Sequence, residues 1–265
     1  MPVIRTYEKK EDISIFDVEL DTTFSNYNAS HLEILNQVEP SHFWFKCRKE
    51  KICQTVEKYA QKNGQILEVG AGTGFIAEEL LQRGYDIAVS EIHSNGLQMA
   101  KKRGLPKLYQ FDLFTPPFYE EFDLVCLFDV LEHLKDARLA LTHLRSMVKR
   151  GGLLILTVPA HRLLWSHEDR LAGHTQRFEK KELETLLRAS SLEPLHIRYF
   201  FSAIFPLLLA RKWLKKGGEN SELKIPCYPL LDTLCYGATK LEFLLDPLLP
   251  NFFGGSLIAV AQKKE

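Results

Sequence analysis

The chain has 265 residues, 45% of them apolar, with 34 basic against 34 acidic side chains. That length holds one large α/β domain with some to spare, the apolar share supplies a real core, and zero net charge argues against steering of the whole molecule onto nucleic acid. Five scattered cysteines (Cys47, Cys53, Cys126, Cys227 and Cys235) form no C-x-x-C pair, which points to a reducing compartment and away from structural zinc or a disulfide framework.

The first ten residues are charged and lack the apolar run of a secretory signal, so a cytoplasmic location is expected. Residues 1–41 read as an N-terminal extension without an assignable role. Within its acid-rich part Ile13, Ile15, Val18 and Leu20 alternate and fit a short extended segment. A helix is predicted over 42–60, with Trp44 and Phe45 at its start and Arg48 one turn further. The apolar run Ile66-Leu67-Glu68-Val69 then stops at Gly70-Ala71-Gly72-Thr73-Gly74, and a helical pattern over 75–83 begins at once. Glycines leave no Cβ in such a turn, so backbone N–H groups can approach a ligand and φ can become positive. A turn of this kind, between a strand and a helix N-terminus, is where open α/β sheets bind nucleotides. A dinucleotide-binding G-x-G-x-x-G would need a third glycine at position 75, which is Phe75, so a nicotinamide dehydrogenase is disfavoured.

A second strand, 86–91, closes on Glu91, where a carboxylate can accept both hydroxyls of a ribose. The alternative is an acid that merely starts the following helix beside Ser94 and Asn95. A helix over 94–103 is stopped by Gly104 and Pro106, and a third strand over 107–111 leads into Asp112-Leu113. Thr115-Pro116-Pro117-Phe118 reads as a rigid turn. The nearly all-apolar run 122–128 suits a central parallel strand covered on both faces, and it ends in Asp129-Val130-Leu131-Glu132-His133-Leu134. Asp136 caps a helix over 137–148, with Lys149 and Arg150 at its negative end and Gly151-Gly152 terminating it, before a fifth strand over 153–159. Strands and helices alternating in this rhythm mean a doubly wound parallel sheet.

Taken in order, Glu68-x-Gly70-x-Gly72-x-Gly74, Glu91, Asp112 and the Asp129–Leu134 segment resemble the motifs of class I S-adenosylmethionine (SAM) dependent methyltransferases. The last segment is similar to that of the type 11/type 23 group that includes the ubiquinone and menaquinone biosynthesis enzymes. The resemblance covers a core over 42–200 and implies a Rossmann-like, seven-stranded, mostly parallel sheet. It implies SAM as cofactor and S-adenosylhomocysteine as product. Glu68 would help hold the loop and the methionine ammonium, while Gly70, Ala71, Gly72 and Gly74 pass under the methionine portion. Arg48 would meet the methionine carboxylate, with a surface arginine as the alternative. Glu91 and Ile92 would hold the ribose, and Asp112 and Leu113 the adenine. Asp129 would face the reacting centre, and His133 would act as a base or brace its loop.

The loop over 160–178 leaves the fifth strand beside that centre. Gly173-His174-Thr175-Gln176-Arg177-Phe178 looks like the G-H-x-R-R-Y/F segment of methyltransferases associated with lipid or polysaccharide synthesis, with Gln176 in place of the first arginine. Transfer to a hydroxyl needs alignment, exclusion of water and a base, so His174 and then His161 are the base candidates. Trp44, Trp165 and Arg177 are candidates for acceptor binding. His161, His167 and His174 with Glu168 and Asp169 follow no zinc spacing, and no metal is expected.

A helix over 180–190 and strands over 193–200 and 256–262 complete the sheet, the last lying in a terminal piece over 255–265. Between them lies an apolar helical insert, 201–254, carrying Arg211, Lys212, Trp213, Lys215, Lys216 and a leucine-rich stretch over 228–250. Proline and charges make both halves unfit to span a bilayer. The insert is expected to be an acceptor cap, a homodimer interface or a peripheral contact with an anionic membrane. Each fits O-methylation of a small or lipid-linked acceptor, not of nucleic acid. The alternative is a catalytically silent SAM-binding module acting through this insert on a partner or membrane.

Overall fold

The computed structural model describes residues 7–16, 30–214, 225, 228–246 and 251–264. Its centre is the almost wholly buried strand β6 (Phe122–Phe128), flanked in parallel by β3 (Gln65–Val69) and β7 (Val148–Pro159). Beyond β3 lie β4 (Asp86–Ser90) and β5 (Leu108–Gln110), both parallel. Beyond β7 the antiparallel β9 (Ser256–Lys263) separates it from β8 (Leu192–Phe200), so the chain's last strand enters the sheet before its penultimate one. These are the seven expected strands.

The sheet is wider than expected, with nine strands among the described residues. In the N-terminal extension β1 (Glu8–Lys10) turns into β2 (Ile13–Ile15), which pairs in parallel with the edge strand β5. Phe16 then packs edge-on against Tyr109 and Phe118, 5.9 and 5.3 Å between centroids. Aromatic packing and three register pairs recruit this stretch, a tertiary effect that its weak alternation hardly signals. Val18 and Leu20 lie outside the described residues.

Alternating side chains divide the sheet's two faces. Val125 and Leu127 face a core with Ala140, Leu141 and Leu144 of α5 (Ala137–Met147) and Leu183 and Leu187 of α7 (Lys180–Ala189). Leu124, Cys126 and Phe128 face the other core, with Ile52, Cys53 and Val56 of α2 (Phe43–Tyr59), Ile76 and Leu80 of α3 (Phe75–Gln82), and Leu97 of α4 (Ser94–Lys102). His42 caps α2 through Nδ1, which accepts the Trp44 N–H at 3.2 Å. Helix α5 is capped by Asp136 as predicted, but it stops at Met147. Val148 is already extended, so Lys149 and Arg150 do not close the helix; they pair with Asp123 at 2.9 Å and Glu120 at 3.6 Å.

A short helix, α1 (His31–Val38), lies beside α4, its Leu32 fully buried near Gly72. The insert holds α8 (Phe205–Leu214) and α9 (Pro229–Leu245), the latter packed on α2 and anchored by Glu242, which accepts the Ala203 N–H. Lys51 and Arg198 both pair with Asp246, at 2.6 and 2.8 Å, and fix its far end. The outer face of α9 is apolar: Leu230, Leu234, Leu241 and Leu244 are 76, 62, 56 and 75% exposed. The side chains of Arg211, Lys212 and Trp213, and residues Lys215, Lys216 and 247–250, lie outside the described residues. No helix among the described residues is long and apolar enough to cross a membrane.

Candidate active site

One cavity of about 760 Å³ opens at the carboxyl ends of β3, β4, β6 and β7. Its floor is the turn after β3. Gly70 there has φ +66°, and a Cβ on it would come within 2.7 Å of Val130 Cγ2; Gly74 has φ +79°, and its Cβ would meet Leu105 Cδ1 at 2.7 Å. Only glycine accepts both the left-handed backbone and the close approach; Gly70 lies at the cavity, and Gly74 lets the turn pack on α4.

Acids gather round this turn. Glu39, Glu68, Glu91, Asp112, Asp129 and Glu132 all line the cavity. Glu91 accepts the Gly72 N–H at 2.9 Å through Oε2 and the His93 N–H at 3.0 Å through Oε1, tying the turn to the end of β4. Asp112 Oδ1 accepts the Phe114 N–H at 2.8 Å. Glu68 is buried, and its Oε2 has no hydrogen-bond partner among the described residues. Burial pushes its carboxyl up to about 8 against the pull of the Arg48 guanidinium, with Glu39 and Glu91 adding repulsion. Glu39 is raised by the same burial; its Oε2 accepts the Thr73 hydroxyl at 2.5 Å and lies 3.4 Å from Arg103 Nη2, fastening α1 beside the turn.

Arg48 stands among these carboxylates, its Nε 2.6 Å from Asp129 Oδ2, rather than on the surface. Asp129 has φ +51°, and its Oδ1 accepts the Thr157 hydroxyl at 2.7 Å. Ile92, Leu113 and Ala71 complete the lining on the acidic side, and Trp44 enters it stacked on Phe201 at 4.0 Å. Leu164, Ile204, Leu207, Leu208, Leu231 and Cys235 give the opposite side an apolar wall, drawn largely from the insert.

Glu132 and His174 also line the cavity. Glu132 is 1% exposed, and neither carboxylate oxygen has a hydrogen-bond partner among the described residues. Burial, reinforced by Asp129, raises its carboxyl well above the usual range. His174 Nε2 lies 3.9 Å from Glu132 Oε1. His133 is a brace: its Nδ1–H donates to the Gly173 carbonyl at 3.2 Å, and burial pulls its imidazole down to about 3, so it stays neutral. Thr175 returns to the same turn, its N–H and hydroxyl both donating to the Glu132 carbonyl at 2.7 and 2.8 Å.

The structure gathers Arg48, Glu68, Gly70, Ala71, Gly72, Glu91, Ile92, Asp112, Leu113, Asp129, His133, His174, Arg177 and Trp44 around one cavity. Gly74, His161 and Trp165 do not line it; Gly74 is where the turn packs on Ala100 of α4 and Leu105. His161 stacks on Tyr199 with centroids 4.8 Å apart, its Nδ1 3.0 Å from Glu179 Oε2, because the 3-10 turn at Arg162–Leu164 directs Leu164 inward instead. Arg177 is engaged within the protein, donating from Nε to Asp169 at 2.9 Å and from Nη1 to the Ala160 carbonyl at 3.0 Å. The side chains weighed as metal ligands do not converge either. His161 turns to Glu179 and His167 Nδ1 to Arg170 at 3.4 Å, whereas polar atoms of His174, Glu132 and His133 lie within 4.8 Å of one another. Glu39, Glu132 and Leu32 escape the sequence reading, and Asp169, weighed there only as a metal ligand, stands instead beside His174. The period of Leu32 and Leu35 ahead of Pro40 is the signal that marks α1.

The methyltransferase-domain family model matches residues 44–197, more than half of the chain. Among curated proteins, the ubiquinone biosynthesis O-methyltransferase of Bordetella avium is 25% identical over 54% of this chain and 61% of its own length, and that of Colwellia psychrerythraea 28% over 46% and 54%. The chain thus spans only about three fifths of the length of the curated relatives it matches. Among solved structures, a SAM-dependent methyltransferase of Thermotoga maritima superposes with a TM-score of 0.56 at 17% identity, covering 89% of this chain and 96% of that one. The cyclase SpnF superposes at 0.60 with 16% identity, covering 93% and 99%, so the fold alone does not fix a reaction. Family match, strand order and bare glycine turn agree: the chain belongs to the methyltransferase-domain family and has the Rossmann-like fold of the class I, SAM-dependent methyltransferases.

Proposed function

We propose that this methyltransferase carries a methyl group from SAM to a hydroxyl of a small or lipid-linked acceptor with an apolar body. The observation that carries the reading is that one cavity is lined by acids and bare glycines, by apolar side chains of the insert, and by the His174 imidazole. The acidic side fits the donor. Its carboxylates outnumber its cations, it offers no Cβ at Gly70 and Gly72, and Glu68 Oε2 is left without a partner among the described residues, as a site for an ammonium would be. When bound, SAM supplies an electrophilic methyl on a positively charged sulfur. Glu68 and Arg48 would hold its amino-acid end, Glu91 its ribose, and Asp112 with the Leu113 backbone its adenine. Asp129, fixed by Thr157 and Arg48, lines the same cavity. The chain aligns the acceptor, keeps water away and removes the hydroxyl proton at His174. The relatives' names as O-methyltransferases support oxygen as the methylated atom.

Incubation of the full chain with methyl-labelled SAM and separate lipid and water-soluble cell extracts tests this. Label is expected as a methyl ether in the lipid fraction. Label on nitrogen would overturn the acceptor class, and a methyl ether only in water-soluble products would strike out the lipid-linked acceptor. Retained SAM binding with label in neither extract would favour the silent module.

A second observation supports contact with a lipid surface. The four exposed leucines of α9 fall on one helical face, and Leu231, beside that face, also lines the cavity. Co-sedimentation with anionic phospholipid vesicles is expected for the native chain and lost in L234E/L244E. Equal vesicle binding by that variant, or a dimer dissociated by it, would replace the membrane with another cover.

A further inference from the structure

Asp169 is buried inside α6 (His167–Ala172), and its carboxylate stands behind His174. Its Oδ1 lies 2.8 Å from His174 Nδ1 and also accepts the Arg177 Nε–H at 2.9 Å. Its Oδ2 accepts the Ser166 N–H at 2.8 Å and the Ser166 hydroxyl at 3.0 Å. Burial alone would neutralise this carboxyl, but the His174 hydrogen bond and the Arg177 charge hold it at about 2, so near neutrality it is an acceptor only. The imidazole must therefore present Nδ1–H to it.

The backbone round His174 is equally fixed. Its own N–H donates to the Asp169 carbonyl at 2.9 Å, the preceding Gly173 carbonyl accepts from His133, and the following Thr175 is bonded twice to the Glu132 carbonyl. The ring meets His133 edge-on, with centroids 4.8 Å apart. The charged and titratable groups facing it are Asp169 behind, with Arg177 beyond, and Glu132 and His133 on the turn after β6.

We propose that Asp169 is a positioning residue: it selects the His174 tautomer with a proton on Nδ1 and none on Nε2, so that Nε2 meets the acceptor hydroxyl as a base. The inference rests on the O-methyl reading for its purpose, though not for its geometry. A free histidine side chain prefers the opposite tautomer, so the ring needs a fixed anion at Nδ1 to carry a bare Nε2. Arg177 has a matching part, keeping Asp169 ionised and in place instead of gripping the acceptor. In the transfer, the acceptor oxygen forms a bond to the methyl carbon as the carbon–sulfur bond breaks. That bond's electron pair stays on sulfur, and the hydroxyl proton passes to Nε2, then to water.

The test is nitrogen-15 histidine spectroscopy of the full chain, which reads the tautomer of each ring without any acceptor. Native His174, assigned by its loss in H174Q, is expected to carry its proton on Nδ1. In D169A the proton is expected to move to Nε2, while calorimetry shows SAM affinity within about 3-fold of native, since Asp169 makes no hydrogen bond to Glu68, Glu91 or Asp112. A native His174 protonated on Nε2 overturns the proposal, and this arm stands even if D169A does not fold. A folded D169A with unchanged His174 resonances also overturns it. The predicted tautomers together with label on nitrogen in the extract experiment would instead sink the O-methyl reading and leave the role of Asp169 in the geometry intact.

Discussion

Replacing Glu91 with alanine is expected to weaken SAM binding by about 100-fold or more, since a charged group's hydrogen bonds contribute about 1.5–3 kcal/mol each and about 1.4 kcal/mol is tenfold in affinity. Glu91 has two tasks. Its oxygens already accept the Gly72 and His93 N–H groups, holding the turn against β4, and each retains a lone pair for a ribose hydroxyl. Alanine removes both, so affinity alone does not tell ligand contact from a displaced turn. A comparison of S-adenosylhomocysteine with its 2′-deoxy analogue does. The native chain is expected to prefer the ribose form by about tenfold, as a site built to bond a hydroxyl rejects a ligand lacking it. Calorimetry on E91A should find that preference gone. If E91A binds SAM within about 3-fold of native, or keeps the preference, Glu91 does not hold the ribose.

The sheet was legible because apolar runs sit between glycine and proline punctuation. The stretches at Glu68, Glu91, Asp112 and Asp129 each end a strand on an acid, and parallel strands bring their ends to one rim. What the sequence hid is side-chain direction within loops. His161 and His174 read alike as polar loop residues, yet backbone geometry at Arg162–Leu164 turns one to Glu179, and Gly173, with φ +81°, turns the other to Asp169. Asp169 and His174 are five residues apart, a spacing that means contact only once a helix has ended between them. Glu132 was passed over because a carboxyl after a strand ordinarily faces water. Its burial comes from Thr175 and His174 folding over it, a contact made by a distant loop. Helix α1 was missed because eight residues give few turns of periodicity, and its meaning lies in Leu32 and Glu39 meeting the glycine turn.

Glu68 should give SAM binding a proton signature. Burial raises its carboxyl from 4.5 to about 8, so at pH 7 the empty site carries it mostly protonated. A cationic ammonium favours the ionised form, so binding at pH 7 is expected to release most of one proton from the native chain and almost none from E68Q. Calorimetry in buffers of differing ionisation enthalpy measures that number directly. Adenosine, which has no ammonium, should release none from either protein. The same shift sets the sign of a stability effect. An acid whose folded value lies above its unfolded one binds more protons when folded, so its contribution is intact below about 4.5 and lost as pH rises toward 8. The SAM-free native chain should therefore lose stability over that window relative to E68Q in paired denaturant titrations, and added SAM should flatten the difference. Equal proton release by the native chain and E68Q would mean that the ammonium is held elsewhere, and the unpartnered oxygen at the end of β3 would then have no ligand to answer it.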